Sequence, residues 1–214
     1  MSQDFGVYLV TDAGLSAGRS TPEVVAAAID GGVDVVQLRE KGTSAKERYQ
    51  LGLELREETR AAGVPLIVND RLDIAAAIDA DGVHLGDDDL PVSVAREQLG
   101  KDAMVGRSVS TPAAAREAEA AGADYLGVGA IFGTNSKETT PEQSNVGLER
   151  IRAVREAVDI PFVGIGGVTP ENAESVAAAG ADGVAVISAI TAADDPEAAT
   201  RRLADAVQGA SADV

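Results

Sequence analysis

Three clusters of polar residues in this chain have the spacing to act together. Gln37, Arg39 and Lys41 alternate along one run; Asn69, Asp70 and Arg71 are contiguous; Gly86 leads into Asp87, Asp88 and Asp89. Two further groups follow, Arg107 with Ser108, and the stretch Gly133, Thr134, Asn135, Ser136, Lys137. Guanidinium and ammonium groups neutralise phosphate oxygens, which gives Arg39, Lys41 and Lys137 their candidate role. Asp70 with an acid from Asp87 to Asp89 supplies hard oxygen ligands of the kind Mg²⁺ takes, one or two carboxylates completed by substrate phosphates and water. An anionic ligand, a diphosphate held with metal, is the chemistry this set suits. Other chemistries are excluded: there is no cysteine, so no thiolate nucleophile or disulfide, and the single histidine, His84, cannot furnish a zinc site.

The elements that must position these groups show in a repeat. GGVDVVQLR at 31–39, DADGVHLG at 79–86, AGADYLGVG at 121–129 and AGADGVAVI at 179–187 each place an aspartate (Asp34, Asp81, Asp124, Asp182) ahead of an apolar run. Four more short apolar runs, at 6–10, 65–68, 104–106 and 162–165, bring the strand candidates to eight. Such runs suit parallel strands covered by helices on the outside. Between them lie helical segments, with Thr21-Pro22 and Thr111-Pro112 as starts, and Ser44 to Glu47 as a capping box. Alternating strand and helix requires parallel strands and right-handed crossovers. The expected fold is therefore α/β, a single-domain (β/α)8 TIM barrel over residues 1–208 with a frayed tail at 209–214; an open doubly wound sheet is the alternative.

In a barrel, chemistry sits at the C-terminal ends of the strands, and every polar cluster named above falls there. The segment 162–188 adds a second feature: an apolar run enters Gly166-Gly167, Thr169-Pro170-Glu171 is expected to open a helix, and another apolar run closes on Ser188. Loops after the seventh and eighth strands of barrels often cradle phosphate with backbone N–H groups. Structural roles compete for several of these residues: Asp70, Asp89 and Ser108 could cap the helices that follow, Asn69 could tie down its turn, and His84 reads as a satisfied core or rim residue. The four repeated aspartates enter strands at the opposite end and read as structural.

Charge narrows the partners. The 214 residues carry 18 Lys and Arg against 35 Asp and Glu, a net charge of −17. That surface repels nucleic acid and anionic membrane, leaving small molecules as the expected ligands. The acids are dispersed over helix faces, as at Glu54, Glu57 and Glu58, a coat suited to high salt. No apolar stretch is long enough to span a bilayer and the N-terminal run lacks a basic leader, so a cytoplasmic location is expected.

Six motifs taken together, VYLVTD at 7–12, QLREK at 37–41, VNDR at 68–71, DGVHLGDDDL at 81–90, GADYLGVGAIF at 122–132 and VGIGGVTPEN at 163–172, resemble the thiamine-phosphate synthase family in order and over nearly the whole chain. The resemblance implies a transferase of the barrel fold that couples a hydroxymethylpyrimidine diphosphate to a thiazole phosphate with Mg²⁺. It implies that Gln37, Leu38, Arg39, Glu40, Lys41, Asn69, Ser108 and Lys137 bind the pyrimidine diphosphate, with Lys137, Arg39 and Lys41 acting on the leaving group. Asp70 and Asp89 are implied as metal ligands, and Thr134, Asn135, Ser136, Gly167, Ile187 and Ser188 as the thiazole phosphate site. Two local departures stand out: Gly133 and Ser136 occupy positions where the family often has proline and threonine, and Asp87 and Asp88 stand where glutamine and glutamate commonly precede the metal-binding aspartate. An isomerase that handles only the thiazole phosphate, or a noncatalytic phosphate sensor, would not need both the cationic and the carboxylate sets.

Overall fold

Eight short strands close into a parallel barrel in the computed structural model, which describes residues 5–133 and 145–212, the side chains of 211 and 212 excepted. They are β1 (Val7–Val10), β2 (Val35–Leu38), β3 (Leu66–Asn69), β4 (Gly82–Leu85), β5 (Met104–Val109), β6 (Tyr125–Gly129), β7 (Phe162–Ile165) and β8 (Gly183–Val186). Each pairs with its successor, and β8 returns to β1 through Val7 against Val184 and Leu9 against Val186. That closing pair excludes the open sheet.

The outer layer consists of α1 (Thr21–Asp30), α2 (Ala45–Ala62), α3 (Leu72–Ala77), α4 (Val92–Leu99), α5 (Pro112–Ala120), α6 (Gly147–Arg155), α7 (Ala173–Ala178), α8 (Ser188–Thr191) and α9 (Pro196–Ala212). Capping chemistry fixes several of their starts. Ser44 and Glu47 form the expected box at α2, Thr111 caps α5, and α1 is boxed by Ser20 with Glu23, one residue ahead of Thr21. Helix α7 begins later than Thr169-Pro170 suggests, because Asn172 accepts a hydrogen bond from the Thr169 N–H at 2.9 Å and donates to the Gly167 carbonyl at 3.1 Å. The segment closes a turn first, and only then coils. Residues 209–212, read from sequence as a tail, continue α9.

Strand alternation divides the core in two. Outward residues such as Leu9, Leu38, Leu66, Leu85 and Leu126 pack against the helices, and a smaller inner cluster of Phe5, Tyr8, Val10, Val35, Ile67, Tyr125 and Val163 fills the barrel below the mouth. The bottom of the barrel is tied by the four repeated aspartates. Each carboxylate accepts the N–H of a residue on the preceding strand, Val7 for Asp34, Leu66 for Asp81, Val105 for Asp124 and Phe162 for Asp182, at 2.7, 2.7, 2.7 and 2.9 Å. Each aspartate N–H in turn donates to that same residue's carbonyl. Asp81, Asp124 and Asp182 also meet Arg56, Arg96 and Arg155.

Candidate active site

At the C-terminal mouth lies a cavity of about 560 Å³ whose wall takes residues from all eight strand ends. Alternation along the β2 exit decides which side chains reach it. Gln37, Arg39 and Lys41 face the cavity, whereas Leu38 is buried among the outer core residues and Glu40 points away. The Glu40 carboxylate is taken up by the Ala13 N–H at 2.9 Å and the Thr21 hydroxyl at 2.8 Å, and its carbonyl receives Arg48 at 2.7 Å. Leu38 and Glu40 thus shape the β2 exit through the main chain. Arg39 is held at the rim by Asp12, NH1 to Oδ2 2.7 Å, a partner that motif reading overlooked.

The β3 and β4 exits bring two carboxylates together. Asp70 sits in the left-handed region at φ 64°, a conformation Asp tolerates better than most residues, with its N–H donating to the His84 carbonyl. Its carboxylate meets Lys41 Nζ at 3.0 Å and lies beside that of Asp89 on the cavity wall. Asp89 in turn accepts the Gly86 N–H at 2.6 Å. Burial, then the facing Asp70, pushes the Asp89 carboxyl above the ordinary carboxylate value. Burial acts on Asp70 too, but hydrogen bonds from Asp89 and Lys41 outweigh it and hold that group below its ordinary value. Two facing carboxylates resist joint ionisation unless a cation joins them. Neither caps a helix: the N-cap positions of α3 and α4 are Arg71 and Pro91, with no side-chain cap at either. Two carboxylates beside an open cavity with room for a bound diphosphate fit Mg²⁺ completed by ligand oxygens.

Asn69 adds a donor. Its side chain is buried against the cavity, and Nδ2 has no hydrogen-bond partner among the described residues. A buried unpaired amide costs stability, so its retention here points to a ligand acceptor. Ser108 faces the cavity as well, bonded to His84 Nε2 at 3.0 Å; Thr111 does the helix capping.

Across the mouth, Gly166 and Gly167 take φ of 98° and 65°. A Cβ on Gly167 would stand 2.6 Å from the Gly133 carbonyl oxygen and 2.8 Å from Phe132 Cβ, so both conformation and close approach require glycine. Ile187 and Ser188 follow at the junction of β8 with α8 and also line the cavity. Short helices after the eighth strand of a barrel turn their first N–H groups toward bound phosphate. Thr134, Asn135, Ser136 and Lys137 lie outside the described residues.

Sequence reading missed Tyr8 and Tyr125 and gave His84 no part in the site. The structure joins them in the barrel interior, where His84 Nδ1 meets the Tyr125 hydroxyl at 3.0 Å and that hydroxyl meets Tyr8 at 2.8 Å. A phenol at an inward strand position was the available signal, since buried hydroxyls need partners.

Comparison with known proteins places the chain in a family of this fold. The family model for thiamine monophosphate synthase matches residues 7–190. The thiamine-phosphate synthase of Natronomonas pharaonis is 78% identical over 214 residues, covering 100% of both chains. That of Haloarcula marismortui is 66% identical over 206 residues, covering 96% of this chain and 98% of the relative. The solved thiamine phosphate pyrophosphorylase of Pyrococcus furiosus superposes with a TM-score of 0.89 at 39% identity, covering 97% of this chain and 98% of that one. The 3-hexulose-6-phosphate synthase of Salmonella typhimurium, at 19% identity and a TM-score of 0.70, shares the fold alone. The chain belongs to the thiamine monophosphate synthase family and is a transferase of thiamine biosynthesis.

Proposed function

We propose that this mouth joins a hydroxymethylpyrimidine diphosphate to a thiazole phosphate, giving thiamine phosphate and free diphosphate. The observation that carries the reading is the meeting of Lys41, Asn69 and the facing carboxylates of Asp70 and Asp89 on one wall, opposite the glycine turn at Gly167. Arg39, Lys41 and Asn69 bind the diphosphate, and Lys137 is assigned to the same group from the family motif. Asp70 and Asp89 would hold a Mg²⁺ ion, whose charge stabilises the departing diphosphate. Gly167, Ile187 and Ser188, with Thr134, Asn135 and Ser136, take the thiazole phosphate.

The bond from the pyrimidine CH₂ to the diphosphate oxygen breaks with its electron pair leaving on oxygen. The ring amino group feeds electrons toward the CH₂ carbon, and the thiazole nitrogen lone pair then forms the new C–N bond. No proton is removed, so the site needs no strong base. Its work is to orient the two rings and stabilise the leaving group.

The direct test incubates the purified protein with Mg²⁺ and both heterocycles across a wide range of KCl and follows thiamine phosphate by chromatography. Product that requires both substrates is expected. A folded protein that forms none at any salt concentration contradicts the reading.

A further inference from the structure

A hydrogen-bonded chain crosses the barrel at the cavity floor, with Tyr8, Gln37, His84 and Ser108 lining the cavity and Tyr125 behind them. Gln37 Nε2 donates to the Tyr8 hydroxyl at 2.7 Å, Tyr8 meets Tyr125 at 2.8 Å, Tyr125 meets His84 Nδ1 at 3.0 Å, and His84 Nε2 meets Ser108 Oγ at 3.0 Å. Both phenols are fully buried, and burial raises their pKa, so each stays an O–H donor. The barrel keeps room for these rings. A Cβ on Gly106 of β5 would overlap the Tyr125 ring, and one on Gly127 of β6 would stand 3.1 Å from His84 Cε1.

A phenol has one proton to give, so such a chain runs in one direction or the other. With Gln37 donating into it, Tyr8 donates to Tyr125 and Tyr125 to Nδ1. The ring proton of His84 is then on Nε2 and goes to Ser108. Gln37 keeps its carbonyl oxygen as an acceptor, and Ser108 keeps its own proton as a donor. The edge of an aminopyrimidine has the complementary pattern, an amino N–H beside a ring nitrogen lone pair.

We propose that this chain is a directional relay in which Tyr125 and His84, as positioning residues, fix Gln37 as acceptor and Ser108 as donor toward the pyrimidine ring. The proposal rests on the reading of Gln37 and Ser108 as pyrimidine-side residues. The reverse direction would present the opposite polarity at both ends.

Because the sequence holds one histidine, ¹⁵N-histidine labelling reads the tautomer without ambiguity. The wild-type protein is expected to show a bare Nδ1 and a protonated Nε2. A protonated Nδ1, in either the other tautomer or the imidazolium, overturns the relay. Tyr125→Phe cuts the chain at a residue that does not line the cavity. It is expected to mix the tautomers and raise KM for the pyrimidine diphosphate about tenfold, leaving KM for the thiazole phosphate unchanged. Altered tautomers with both KM values intact would show that the relay does not reach the ligand, and would overturn it. Should that variant fail to fold, the wild-type tautomer decides alone: a bare Nδ1 supports the relay and a protonated Nδ1 overturns it. Ser108→Ala separates the underlying reading: unaltered kinetics there sinks the pyrimidine-side assignment, whereas impaired kinetics with a protonated Nδ1 in wild type sinks the relay alone.

Discussion

Asn69 shows at a single residue how function opposes stability. Its amide nitrogen is buried without a partner among the described residues. Replacement by an apolar side chain of similar size removes that penalty, of about 1 kcal/mol. Asn69→Leu is therefore expected to raise the ligand-free unfolding midpoint by roughly 2–4 °C and to raise KM for the pyrimidine diphosphate, read by calorimetry and steady-state kinetics. A lower midpoint would mean that the amide is satisfied in the fold. The strand-end rule located Asn69, Arg39, Lys41, Asp70, Asp89 and Ser108 from sequence, since in a parallel barrel those positions share one mouth. It gave no part to Asp12 or Tyr125, whose roles depend on partners 27 and 41 residues away in Arg39 and His84. Leu38 and Glu40 illustrate the same limit, because a motif names consecutive residues while a strand exit offers every second side chain to the cavity.

At the scale of the element, the four aspartate hooks do for the bottom of the barrel what helix caps do for helices. Asp182 accepts the Phe162 N–H at the start of β7 and contacts Arg155 at 3.1 Å. Asp182→Ala leaves a buried strand N–H unpaired, and is expected to lower stability by about 1–2 kcal/mol. Urea unfolding should show an earlier midpoint at unchanged slope, with activity retained in the folded protein. An unchanged midpoint would assign the hook no stabilising role. Four of the eight strands were legible because Asp34, Asp81, Asp124 and Asp182 recur at matching places in a repeated pattern, and the other four as short apolar runs spaced among them. The start of α7 was not, because Thr169-Pro170 serves a turn as readily as a first helical position, and only the Asn172 side chain decides between them.

For the whole molecule, the net charge of −17 sets the conditions under which the fold works. Self-repulsion of a compact acidic surface weakens as salt screens it. Glu58 concentrates the effect: burial, then Glu54 and Glu57, raise its carboxyl above the ordinary value. A carboxyl whose folded value is raised destabilises the fold fully at pH above that value, and the penalty fades as pH falls through the folded value and is gone below the unfolded one. Glu58→Gln is thus expected to raise the unfolding midpoint by roughly 1–2 °C at neutral pH in dilute KCl, with the gain shrinking in concentrated KCl and in acid. A gain independent of both pH and salt would contradict the electrostatic account. Among the described residues no helix is long and apolar enough to cross a membrane.

The central claim is that one mouth holds two phosphate sites on opposite walls, one for the group that leaves and one for the group that stays. A crystal structure with thiamine phosphate, diphosphate and Mg²⁺ tests it most directly. The diphosphate and metal are expected between Lys41, Asn69, Asp70 and Asp89, with the product's own phosphate at Gly167 and Ser188. Density for the product phosphate among the carboxylates, with diphosphate at the glycine turn, would contradict it.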